Sequence, residues 1–81
     1  MRELNNATIT NEIIEEVNNN CRFVNKPNLK DYDYITMEDD FIEITREEEY
    51  KRDENLEYVK VANREVRQFK KNNLSGVFVE C

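Results

Sequence analysis

The sequence predicts an α+β domain, a small antiparallel sheet of three to four strands with two helices in the order α-β-β-β-α-β. Three observations predict it. Apolar residues recur every three or four positions at Ile9, Ile13, Ile14, Val17 and Cys21, and again at Leu56, Val59, Ala62, Val66 and Phe69, which is the period of a helix face. Between these stretches, Tyr32 to Met37 and Phe41 to Thr45 are rich in aromatic and β-branched residues, the composition of strands. With 81 residues the chain has material for one modest core, so residues 1–81 are read as a single domain.

Each element has a local justification. Asn5 to Thr10 offers capping side chains, and a short amphipathic helix follows from about Thr10 to Asn19. Glu12, Glu15 and Glu16 stand in its first turns, where the helix dipole favours acids. The triplet Asn18, Asn19, Asn20 is a stop signal, because asparagine tolerates a left-handed cap. Cys21 to Val24 reads as a brief strand, and Asn25 to Asp31 as a loop holding the single proline, which biases Lys26 away from helix. Glu38, Asp39 and Asp40 join the two β-prone runs as a hairpin turn without glycine. Arg46 to Asn55 is almost wholly charged and reads as an exposed turn or loop. The second helix is expected from Leu56 to about Asn73, capped by Asp53 or Asn55, with Lys60, Arg64, Arg67 and Lys71 on its polar arc. A competing reading makes Leu56 to Val61 a strand partner for Phe41 to Thr45. Ser75 and Gly76 end the helix, and Val77 to Glu80 forms a closing strand.

Composition bounds the function. Hydrophobic residues are 38% and charged residues 37% of the chain, a polar balance, yet the apolar residues are periodic, so the chain is read as folded. Its longest apolar run is Val77, Phe78, Val79, far short of the roughly 20 residues of a membrane helix or the about 7 to 15 of a signal-peptide core. No membrane association is expected, and Cys21 and Cys81 are expected to be reduced.

Catalysis finds few of its usual parts. There is no histidine and only one glycine, so the common neutral-pH base and the phosphate-cradling loops are missing. Glu49 and Lys51 with Asp39 or Asp40 upstream match loosely the acid and Glu-x-Lys elements of magnesium-dependent nucleases. Asp31 with Asp33, or Asp39 and Asp40 with Glu43, are hard oxygen donors without calcium-loop spacing. No enzyme, metal site or cofactor is expected.

Charge carries the functional expectation. Residues 31–57 hold twelve acids against three bases, a net of −9, while residues 58–81 carry +3 and the whole chain −6. A segment so acidic repels nucleic acid and attracts basic surfaces. The partner-binding residues expected from it are Tyr34, Glu38, Asp39, Asp40, Glu43, Glu47, Glu48, Glu49 and Tyr50, with tyrosine as an interface anchor. The alternative face is the basic stripe Lys60, Arg64, Arg67 and Lys71, which would bind phosphates or neutralise the acidic segment within the chain or across a homodimer.

Small size and this acidic segment together resemble the acidic inhibitors encoded by phages and mobile elements, the anti-CRISPR and DNA-mimic class. Twelve asparagines beside frequent Lys, Glu and Ile are similar to the coding bias of an AT-rich genome such as that of a Firmicute or its phage. The resemblance implies a non-enzymatic inhibitor in the cytoplasm of a bacterial host. Its protein partner would present a basic surface, on a CRISPR nuclease or another defence nuclease. A small nucleic-acid-binding regulator and a homo-oligomeric phage assembly protein are the alternatives.

Overall fold

A computed structural model describes residues 1–81. It contains one α-helix and eight strands, which corrects the expected pair of helices over three to four strands. In chain order the elements are β1 (Arg2–Asn5), α1 (Asn11–Asn20), β2 (Cys21–Arg22), a 3-10 turn (Leu29–Asp31), β3 (Tyr34–Met37), β4 (Phe41–Arg46), β5 (Glu49–Arg52), β6 (Tyr58–Ala62), β7 (Glu65–Lys71) and β8 (Phe78–Glu80). Six of the strands form one sheet in the order β1-β3-β4-β7-β8-β2, and β5 pairs with β6 separately. All pairings are antiparallel except β2 with β8.

Helix α1 begins and ends close to where its sequence signals stand. The Thr10 hydroxyl accepts from the Ile13 N–H at 3.4 Å, a side-chain cap for an end that has no intrahelical acceptor. The Asn triplet does not supply a left-handed stop, because only Leu56 and Gly76 have positive φ. The helix ends instead where Cys21 turns extended while its N–H still reaches Val17 O, and the chain passes directly into β2.

One face of the sheet carries the core. Alternation puts Ile35 and Met37 of β3, Ile42 and Ile44 of β4, and Phe69 of β7 on that face, where they join Val17, Cys21, Leu29 and Tyr32. Phe23 meets the Phe69 ring edge-on at 5.2 Å between centroids. Ile9, Ile13 and Ile14 close the helix side. The opposite face, bearing Thr36, Glu43 and Gln68 in one cross-strand row, has no helix over it.

The second predicted helix is two strands, β6 and β7. Its apolar spacing fits a helix, but a helix would bury the stripe together, whereas here only Phe69 is buried and Leu56, Val59 and Val66 are exposed. Strand wins because β4 has buried side chains and a second edge whose N–H and C=O groups need partners. β7 supplies them from Phe41↔Lys70 to Arg46↔Glu65. Val59, Val61 and Val66 also suit a strand better than a helix. Gly76, at φ +75°, does not end a helix. It closes the β7–β8 turn, where the Asn72 side chain accepts from Leu74 N and Ser75 N.

No helix is long and apolar enough to cross a membrane. Both cysteines are free, and burial pushes the Cys21 thiol up to about 11.

Candidate functional site

Beyond the body of the sheet, β4 and β7 continue as β5 and β6 and form a two-stranded arm. The pairs Arg46↔Glu65 and Glu49↔Ala62 share one register, so this is a single long hairpin whose outer half has left the core behind. The molecule measures 55 × 24 × 19 Å, with a radius of gyration of 14.9 Å, against about 12 Å for a compact chain of this length. A β-bulge follows, for Tyr50 pairs with Lys60 and leaves Val61 as the extra residue.

The arm closes in a three-residue loop. Leu56 N donates to Asp53 O at 3.1 Å and Asp53 N to Glu57 O at 2.9 Å. The Asp53 carboxylate accepts from the N–H groups of Asn55 and Glu57. Asp53 was a candidate helix cap, and the same side-chain chemistry here builds a hairpin turn. Leu56 occupies the left-handed position at φ +60°, which this loop type usually gives to glycine. Its side chain is 71% exposed.

Large apolar side chains cover the arm although no core lies beneath it. Tyr50, Leu56, Tyr58, Val59 and Val61 are between 46 and 71% exposed. On one face of the arm stand Glu48, Tyr50 and Arg52 with Tyr58 and Lys60. Glu48 accepts from Lys60 Nζ at 2.9 Å and from the Tyr50 hydroxyl at 2.8 Å. The Lys60 hydrogen bond, followed by that of Tyr50, lowers the Glu48 carboxyl, while Glu48 raises both Tyr50 and Lys60. The Arg52 guanidinium lies 5.0 Å from the centre of the Tyr58 ring, a cation–π contact. Glu49, Lys51, Val59 and Ala62 occupy the other face.

The expected acidic surface does not form one patch. Glu38, Asp39 and Asp40 make the β3–β4 turn at one end of the sheet, where Glu38 N donates to Phe41 O. Glu47, Glu48 and Glu49 lie at the root of the arm, and the extended chain from Asp40 to Glu49 spans roughly 30 Å. Glu47 is paired with Arg64 at 3.4 Å, Glu48 with Lys60, and Glu49 with Lys51 at 3.9 Å. Glu43 sits mid-sheet on the uncovered face and accepts from Gln68 at 2.9 Å. Tyr34 is half-exposed on that face, while Tyr32 is buried and donates its hydroxyl to Glu65.

The basic stripe is dispersed too, because residues that share a helical arc separate on strands. Lys60 and Arg64 answer the glutamates at the root of the arm. Arg67 reaches into the body and makes a bidentate pair with Glu80 at 2.7 and 2.9 Å, also donating to Asn25 O at 2.7 Å. Of the four, only Lys71 is in no ion pair. The nuclease-like residues are likewise divided, Asp39 and Asp40 at one end of β4 and Glu49 and Lys51 beyond the other. No three His, Cys, Asp or Glu side chains converge on a metal position, and Asp33 is engaged by Asn6 and by Glu47 N.

Leu56 and Val59 were missed as surface residues because the helical spacing placed them in a buried stripe. The signals that mark them are the Asp53–Asn55 turn chemistry and the β-branched pair Val59 and Val61. Models of known families, curated proteins and solved structures offer no match to this chain, and the functional reading rests on the arm itself.

Proposed function

We propose that this chain is a non-catalytic binding protein of inhibitor type, and that the arm formed by residues 47–64 is the element it inserts into a protein partner. One observation carries the reading: five large apolar side chains are held in ordered β-structure away from any core. Such exposure is costly in water unless something covers it. Tyrosine on a paired ribbon gives a large contact area for little loss of side-chain freedom. The tip adds Asp53, Glu54 and Glu57 with no base among residues 53–57, so the complementary recess has an apolar floor and a basic rim. A groove that otherwise takes a nucleic-acid strand has such a rim. The partner class is therefore a nucleic-acid-binding effector in the cytoplasm of a bacterial host, a defence nuclease by the sequence resemblance.

The test places a photo-cross-linking phenylalanine analogue at Tyr58 and, in a second protein, at Leu74, a fully exposed residue in the β7–β8 turn at the other end of the sheet. In host extract, Tyr58 is expected to give one discrete heterologous adduct whose yield falls in half-molar salt, and Leu74 none. An adduct from Leu74 alone, or from neither position, would overturn the reading.

A further inference from the structure

We propose that the outer edge of β5 pairs with the same edge of a second copy, making a four-stranded antiparallel ribbon about a two-fold axis at Tyr50. This goes beyond the reading above and is independent of it, because it uses the edge of the arm and leaves both faces free.

The direction of the main-chain groups is set by three hydrogen bonds. Asp33 N donates to Thr45 O at 2.8 Å, and Glu47 N donates to the Asp33 carboxylate at 2.7 Å. Thr45 and Glu47 therefore turn their peptide groups away from β7, toward the side where β3 lies. Toward the tip, Asp53 N donates across the hairpin to Glu57 O, so by alternation along the strand Lys51 and Glu49 face β6 while Arg52 and Tyr50 turn their peptide groups outward. β3 begins at Tyr34, opposite Thr45, and no strand lies beside β5 on that side. The β6 edge is interrupted by the bulge at Val61, a feature that disfavours edge pairing. The β5 edge has no such protection.

Antiparallel geometry then restricts the register. Residues directly opposite each other both point toward the partner strand or both away, so an isologous pair of β5 edges can be centred on Glu49, Tyr50 or Lys51. Centred on Glu49, two glutamates meet on the axis and Arg46 faces Arg52 of the second copy. Centred on Lys51, two lysines meet and Glu49 faces Asp53. Centred on Tyr50, Glu48 faces Arg52 and Glu49 faces Lys51, each twice by symmetry, with the two Tyr50 rings together on the axis. The run Glu48-Glu49-Tyr50-Lys51-Arg52 is thus self-complementary in this register alone, where the one like-charge pair, Glu47 with Asp53, falls outside the run and beside Arg46 facing Glu54. Edge charges ordinarily repel strange strands; these repel most strands and fit their own copy.

The short edge belongs with weak interfaces burying less than about 1,200 Å², so the dimer should accumulate only as concentration rises. Sedimentation velocity of the full chain from roughly 10 μM to 1 mM should show the weight-average mass climbing from 9.8 kDa toward twice that value. Lys51→Glu sets like charges against Glu49 and should weaken dimerisation at least tenfold. Adding Glu49→Lys to it restores complementarity and should restore the dimer, which mere damage to the arm would not allow. Arg52→Pro removes an outward N–H while leaving the β5–β6 ladder intact, and should also give monomer, with circular dichroism reporting that the fold persists. A wild-type chain that stays monomeric throughout overturns the proposal. So does dimerisation that survives Lys51→Glu and Arg52→Pro, or a folded double charge swap that remains monomeric. A monomer that still cross-links a partner through Tyr58 would leave the proposed function standing.

Discussion

Replacing Arg67 by alanine removes one half of the most enclosed ion pair in the molecule, and its cost can be worked from the contacts. The Arg67 and Glu80 side chains are each 13% exposed and meet through two hydrogen bonds. Arg67 also caps Asn25 O and lies 5.7 Å from the centre of the Phe23 ring, while Glu80 accepts from Val24 N at 2.9 Å. Removing one member of a buried pair costs about 3 to 5 kcal/mol because the other charge is left without a partner. The residual exposure puts this pair near 3. A chain of this length has a total stability of about 4 to 12 kcal/mol, so Arg67→Ala should lower the melting temperature by roughly 12 to 24 °C. Urea unfolding followed by circular dichroism measures it. The double change Arg67→Met with Glu80→Leu should cost less than the sum of the single variants, since neither charge is then stranded. If Arg67→Ala lies within about 0.5 kcal/mol of wild type, as ordinary surface substitutions do, the pair is not closed in solution and Arg67 is free to serve as a surface base.

Three further outcomes follow from the same geometry. Leu56→Gly should stabilise the protein by about 0.5 to 1 kcal/mol, because a left-handed leucine costs roughly 1 to 2 kcal/mol and glycine returns part of that in chain entropy; a lower melting temperature would refute the strained turn. Arg67 hydrogen bonding holds the Glu80 carboxyl below its usual range. The stability it contributes is therefore complete above the ordinary glutamate value of about 4.3 and is lost as pH falls through the lower folded value. Urea titrations at neutral and acid pH should show that Glu80→Gln flattens this acid loss. Phe69→Ala should cost about 3 to 5 kcal/mol as a fully buried residue and Tyr58→Ala under about 0.5, a contrast in chemical denaturation that equal losses would contradict.

The candidate site was legible in part. The arm residues Glu47, Glu48, Glu49 and Tyr50 were placed on an exposed segment because they lie outside any apolar period, and they are exposed. What composition could not show is that Arg64, Lys60 and Lys51 stand beside the three glutamates, since those contacts follow from strand register. Tyr32 and Tyr34 share a parity in sequence, yet Tyr32 lies before β3 begins and turns into the core. Asp53 was recognised as a structural side chain, but an aspartate that holds main-chain N–H groups serves a helix start and a hairpin turn equally well.

The chain's own sequence determined the elements whose signals are local: the start of α1 at Thr10, the β3–β4 hairpin with its charged turn, and the closing strand after Gly76. Each depends on a few neighbouring residues, and each falls within a residue or two of its expected place. Only the tertiary structure decided the segment from Leu56 to Lys71. Its apolar spacing satisfies a helix, its β-branched residues satisfy a strand, and no local interaction separates the two. The unpaired edge of β4 does, because backbone groups in a buried strand must find partners. Once β7 fills that edge, its antiparallel continuation carries β5 and β6 out past the core together, and the residues that a helix would have buried stand exposed on the arm.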